Sequence, residues 1–128
     1  MFPRLRRKQR VLLLDDDPSM QRLVSTLLGR EGYRVDVFLT GRDAMRAIDS
    51  QKYDVLLLDL MMPHEGGMTV IRELREKNPD LLHRSLVLTA SPASVISSVK
   101  GDVAGVVTKP FQSPDLINAI RKLVKNSK

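Results

Sequence analysis

The stretch VLLLDDDPSM, Val11 to Met20, decides the fold. Four apolar residues run without alternation into three carboxylates, as a strand buried on both faces of a parallel sheet would. Asp17 then reads as a helix N-cap with Pro18 at the first helical position. Beyond it Met20, Leu23, Val24, Leu27 and Leu28 recur at helical spacing. The unit is strand, acidic turn, helix.

Working outward, the same unit recurs five times. Glu31-Gly32 stops the first helix, and YRVDVF alternates as a strand, with Tyr33, Val35 and Val37 on one face. Thr40 caps a second helix with a narrow stripe of Ala44, Ala47 and Ile48. A third strand is expected from about Asp54 to Leu58, followed by the loop MMPHEGG and a helix marked by Met68, Ile71 and Leu74 that Asn78-Pro79 ends. Leu86 to Leu88 form a fourth strand, and SPASVISSVKG a weak helix carrying Val95, Ile96 and Val99. Val106 and Val107 lie in the fifth strand. The last helix has Ser113 as N-cap, Pro114 first, Asp115 in its first turn, then Leu116, Ile117, Ile120, Leu123 and Val124 on its apolar face. This order implies an α/β protein with a parallel sheet covered on both faces.

Ligands of such sheets bind beyond the carboxyl ends of the strands. Four runs end there on chemically useful residues: Asp15-Asp16, Asp59, Thr89 and Lys109. Several carboxylates in one pocket repel one another and either share a proton or hold a cation. With only oxygen ligands at hand, a hard ion such as Mg²⁺, or Mn²⁺ in its place, is the natural occupant. A carboxylate beside that ion is a competent nucleophile towards phosphorus, with Lys109 and Thr89 placed to neutralise and bind the transferred group. Taken singly the residues are ordinary. Asp15 to Asp17 alone read as an acidic turn, Asp59 as a strand-end cap, and Met61, Met62 and Met68 as packing.

In order and spacing, LLLDDDP, LLLDLMMP, LVLTA and VVTKPF together resemble the receiver domain of bacterial two-component response regulators, of the CheY-like kind. The resemblance implies a flavodoxin-like (βα)5 three-layer sandwich with strand order 2-1-3-4-5. It implies transfer of a phosphoryl group from a sensor histidine kinase or phosphotransfer protein to Asp59. Asp15, Asp16, Asp59 and the backbone carbonyl of Met61 would hold Mg²⁺, Thr89 would bind the phosphoryl oxygen, and Lys109 would pair with the phosphorylated carboxylate. Pro110 stands where the family often has a cis Lys-Pro bond. Three positions depart from the pattern: Val106 replaces a Tyr or Phe three residues before the lysine, Met61 replaces a polar side chain, and Gly66 an acidic or polar one. Gly67 keeps the family glycine.

Composition narrows the classes further. The 128-residue chain is 42% hydrophobic, suits one domain and has no cysteine for disulfides or thiolate metal sites. Its apolar runs are too short to span a bilayer, so no membrane insertion and a cytoplasmic location are expected. Five of 21 Lys and Arg lie in the first ten residues, leaving 16 against 15 acids. Residues 1–10 therefore read as a basic arm, able to touch nucleic acid or an acidic partner or simply solvated, ahead of a receiver domain over 11–126. Without helix-turn-helix pattern or aromatic interleaving, specific DNA readout is not expected. Leu60-Met61 lack the second acid that a haloacid-dehalogenase-type phosphatase needs, and no P-loop is present. The expectation is thus a signalling phosphoacceptor, not an enzyme. A receiver-like interaction module that signals without phosphate is the alternative. With no effector domain after Lys128, output is expected through another protein, through homodimerisation, or through a domain outside this sequence. His64 reads as a loop residue and His83 as a surface one.

Overall fold

The computed structural model describes residues 8–62, 66–90 and 93–126. Eleven elements follow in order: β1 (Arg10–Leu14), α1 (Pro18–Arg30), β2 (Arg34–Phe38), α2 (Gly41–Ser50), β3 (Val55–Leu58), α3 (Gly67–Lys77), α4 (Pro79–Leu82), β4 (Ser85–Thr89), α5 (Ala93–Val99), β5 (Gly105–Thr108) and α6 (Ser113–Asn126). The strands form one parallel sheet in the order β2-β1-β3-β4-β5. Most of the arm expected over residues 1–10, together with Pro63 and His64, lies outside the described residues.

Strand alternation explains why the apolar runs are unbroken. Leu12, Leu14, Leu56, Leu58 and Val87 point to one side, where α2, α3, α4 and α5 supply Ala44, Val70, Ile71, Leu74, Leu81 and Val99. Val11, Leu13, Val55, Leu57, Leu86 and Leu88 point to the other, onto Val24 and Leu28 of α1 and Leu116 and Ile120 of α6. Two cores flank the sheet. Edge strand β2 is only half covered: Tyr33 and Val35 pack on the α1 side, but Val37, of the same parity, is 36% exposed. Leu23, within the apolar pattern of α1, is 44% exposed and lies off the buried stripe.

Local chemistry sets the helix ends. Asp17 caps α1 by accepting from Ser19 N–H at 2.9 Å, and the Thr40 hydroxyl caps α2 by accepting from Asp43 N–H at 3.1 Å. The sequence reading misses α4. Asn78-Pro79 looks like a stop, yet Asn78 also accepts from Leu81 N–H at 3.2 Å, and proline suits the first position of a new turn. At α6 the helix starts at Ser113 itself, one residue before the expected start, and the Asp115 carboxylate accepts from Gln112 N–H at 3.2 Å.

At the amino edge of the sheet a polar cluster joins three strands. The Arg10 guanidinium donates to Asp36 at 3.3 Å and to Gln51, and lies 5.5 Å from the centre of the Tyr53 ring. The Tyr53 hydroxyl donates to Asp36 at 2.7 Å, and Arg10 N–H donates to Asp54 at 2.7 Å. Burial, then the hydrogen bond to Asp36, pushes the Tyr53 pKa up to about 12.

Candidate functional site

Parallel register brings the strand ends together. Leu14 of β1 pairs with Leu58 of β3, so Asp15 and Asp59 emerge side by side, and Thr89 ends β4 next to them. Asp59 N–H donates to the Leu14 carbonyl at 3.1 Å, and Lys109 N–H to the Thr89 carbonyl at 3.0 Å, which tie the four segments at this edge. The Lys109-Pro110 bond is cis.

Asp15, Asp16, Asp59, Thr89 and Lys109 meet here, and Met61 joins them through its backbone N–H. Carboxylate oxygens of Asp15, Asp16 and Asp59 lie within 4.8 Å of one another, the first and last buried and Asp16 exposed. The Thr89 hydroxyl donates to Asp59 Oδ1 at 2.9 Å, and Met61 N–H to the same oxygen at 3.0 Å. Lys109 Nζ donates to Asp15 Oδ2 at 2.8 Å and to Asp59 Oδ2 at 3.2 Å. Asp59 is thus gripped on both oxygens. Met61 as a residue is 59% exposed.

Supporting contacts hold Asp15. Asp17 N–H donates to Asp15 Oδ1 at 2.9 Å, and Gln21 Nε2 to the Asp15 carbonyl at 2.6 Å. Gln21 escapes sequence reading because its role depends on facing back along the first turn of α1. Gly67 has a steric role. Its N–H donates to the Asp59 carbonyl at 2.9 Å, and a Cβ there would sit 2.4 Å from that oxygen. Gly66, which departs from the family pattern, is buried, and a Cβ on it would lie 2.9 Å from Met62 Cβ. Val106 is half-buried against the core on the α5 side.

The charge balance favours a cation. Three carboxylates face one ammonium, so two negative charges are left over in a largely buried pocket. Asp16 makes no hydrogen bond with another described residue, leaving its carboxylate available. The donor set is all oxygen, which suits a hard divalent ion. Burial by itself would lower the Lys109 pKa, but the hydrogen bond to Asp15 and the charges of Asp59 and Asp15 outweigh it, and the pKa is raised.

Lys109 and Tyr53 both hold their protons more tightly in the folded chain. The stability they contribute is complete below pH 10 and falls as pH rises, from 10.0 to about 12 for Tyr53 and from 10.5 upward for Lys109. Denaturant midpoints should therefore drop across this range. Tyr53→Phe should make the drop smaller, and Lys109 with Tyr33, whose pKa burial also raises, should carry what remains.

Fold and site together define a flavodoxin-like domain with an acidic pocket at the carboxyl edge of its sheet. Residues 11–121 match the response regulator receiver domain family, and the chain belongs to it. It is 37% identical to the transcriptional regulatory protein TrcR of Mycobacterium tuberculosis, over 98% of this chain and 51% of that protein. It is 33% identical to the transcriptional regulatory protein PcoR of Escherichia coli, over 94% of this chain and 53% of that one. The chain thus spans about half the length of these curated relatives. Among solved structures, the receiver domain of the Francisella response regulator 1452 superposes with a TM-score of 0.84 at 29% identity, covering 94% of this chain and all of that domain. The response regulator TrrA of Thermotoga maritima, in complex with Mg(2+)-BeF, superposes at 0.80 with 30% identity over 90% of this chain and 98% of its own. No described helix is long and apolar enough to cross a membrane.

Proposed function

We propose that this domain accepts a phosphoryl group on Asp59 from the phosphohistidine of a sensor histidine kinase or phosphotransfer protein, and that the modified pocket then changes partner binding or dimerisation. The observation that carries this reading is the two-sided grip on Asp59, with Thr89 on one oxygen and Lys109 on the other. An Asp59 oxygen bonds to phosphorus as the bond from phosphorus to the donor nitrogen breaks, and that nitrogen leaves with the electron pair. Lys109 offsets charge on the phosphorylated carboxylate, and the Thr89 hydroxyl turns its donation to a phosphoryl oxygen. Held by Asp15, Asp16, Asp59 and the Met61 carbonyl, Mg²⁺ would neutralise charge between nucleophile and incoming group. The likeness to TrrA, solved with Mg(2+)-BeF, supports the same pocket for this chain.

The test is incubation with a small phosphodonor and Mg²⁺, with beryllofluoride as the phosphoryl mimic followed by NMR. Uptake should require the ion, and beryllofluoride should shift the amides of Asp59 and Thr89. Asp16→Asn should weaken Mg²⁺ binding by at least about tenfold while the fold is kept, because Asp16 is exposed. No uptake from any donor with Mg²⁺ present would favour the alternative, a receiver-like module that signals without phosphate. Val106 is the observation on that side, since a valine cannot make the large inward rotation of an aromatic ring. Residues 1–10 as a basic arm and 11–126 as the receiver unit complete the proposal.

A further inference from the structure

We infer that edge strand β2 is a self-association surface, on which a second copy of this chain pairs antiparallel to give one continuous sheet across a two-fold axis at Val35. In the order β2-β1-β3-β4-β5, β2 pairs with β1 alone among the described strands. Its even-numbered residues direct their main chain to that pairing. Arg34 N–H donates to the Gln9 carbonyl at 2.9 Å, and the Phe38 carbonyl accepts from Asp15 N–H at 3.2 Å. Alternate residues of a strand turn their main chain to opposite sides, so the N–H and C=O groups of Val35 and Val37 face away from the sheet. Such an edge is a template for another strand. The segment YRVDVF lacks the proline, lysine and bulge that commonly blunt it.

The charges on β2 select the register and the partner. An axis at Asp36 sets its carboxylate opposite the same carboxylate of the second copy, which is repulsive. An axis at Val37 sets Arg34 opposite Thr40 and Asp36 opposite Phe38, so no charge is met. An axis at Val35 sets Arg34 opposite Asp36 of the second copy and Asp36 opposite its Arg34, and symmetry forms both opposite-charge pairs at once. The side chains suit this contact. That of Arg34 is 62% exposed and comes only within 3.9 Å of Asp36 Oδ1 in its own chain. The hydrogen bonds that Arg10 and Tyr53 give the Asp36 carboxylate both go to Oδ2, which leaves Oδ1 open to a second guanidinium.

The main chain fits the same register. Val35 N–H donates to the carbonyl of Val35 in the second copy, and Val37 N–H to that of Tyr33, whose own N–H is held by the Leu28 carbonyl at 3.0 Å. On the α1 side of the sheet, Val37 is exposed at the free edge and gains Tyr33 of the second copy as its cross-strand neighbour. An aromatic against a β-branched side chain is a favourable pair.

The chain has no cysteine, so single-cysteine variants report the register without background. Cα atoms of a hydrogen-bonded antiparallel pair lie about 5.5 Å apart, so Val35→Cys should convert to a disulfide-linked dimer under mild oxidation. Val37→Cys should not, because its counterpart lies about 14 Å along the strand. An edge pairing this small is of the weak class, so sedimentation of the wild-type chain up to about 1 mM should show its mass rising toward that of a dimer. Arg34→Glu should weaken association at least about tenfold, since one substitution makes both charge pairs repulsive, while Arg72→Glu, the same change on α3, should leave it unchanged. All of these are read without Mg²⁺ or a phosphodonor, so their failure is distinct from failure of the phosphoacceptor reading. A chain that stays monomeric at the highest concentration, cross-linking through Val37→Cys in place of Val35→Cys, or equal effects of Arg34→Glu and Arg72→Glu would each overturn the pairing.

Discussion

Asp59→Asn is expected to reduce phosphoryl uptake to the level of a control without protein, and to do so without unfolding the domain. The amide keeps the shape of the carboxylate, and its oxygen can still accept from Thr89 and from Met61 N–H, which lie at 2.9 and 3.0 Å from Asp59 Oδ1. What it lacks is a nucleophilic oxygen that can form the acyl phosphate. It also removes one of three like charges held within 4.8 Å. Thermal unfolding of the variant should therefore occur at or above the wild-type midpoint, even though Lys109 keeps only Asp15 as its charged partner. A variant that loses uptake because it has unfolded would show as a lowered midpoint and lost far-UV dichroism.

The largest stability effect is expected at Gly67. An alanine methyl there would sit 2.4 Å from the Asp59 carbonyl oxygen, 3.0 Å from its carbon and 3.3 Å from Leu60 Cδ2. Two of these neighbours are backbone and cannot rotate away. Relieving the overlap means parting α3 from the end of β3 and stretching the 2.9 Å bond from Gly67 N–H to the Asp59 carbonyl. Overpacking of this kind costs roughly 1–3 kcal/mol and a weakened hydrogen bond about 1 more. The unfolding midpoint should drop by on the order of 10 °C. Gly29→Ala is the matching control. It lies in α1 with nothing within 4 Å of the added Cβ, so it should stabilise by up to about 1 kcal/mol.

Why the strands and the site could be read in advance is that they depend on short-range patterns. Unbroken runs such as VLLL at 55–58 must be buried on both faces, and the residue that ends each run is placed at the carboxyl edge by the parallel arrangement alone. Asp15, Asp59, Thr89 and Lys109 met as expected for that reason. Features that depend on a second partner were not legible. Gln21 reaches the Asp15 carbonyl only because α1 leaves the strand at a particular angle, and the Arg10, Asp36 and Tyr53 cluster exists only once β1, β2 and β3 are in register. In α4 the same Asn-Pro pair both ends one helix and caps another, and a local signal that serves two roles is ambiguous until burial of Leu81 and Leu82 selects one. Gly66 is similar: its lack of a side chain suggests freedom, whereas its place against Met62 makes it a packing residue.

Ion-dependent phosphorylation of Asp59 carries the proposed function. Its most direct test is to incubate the wild-type chain with a small phosphodonor, with and without Mg²⁺, trap the acyl phosphate by borohydride reduction, and locate the trapped residue by peptide mass spectrometry. A single modified residue at Asp59, present only with Mg²⁺, is the predicted result. Modification at another residue, or equal modification without the ion, would contradict it.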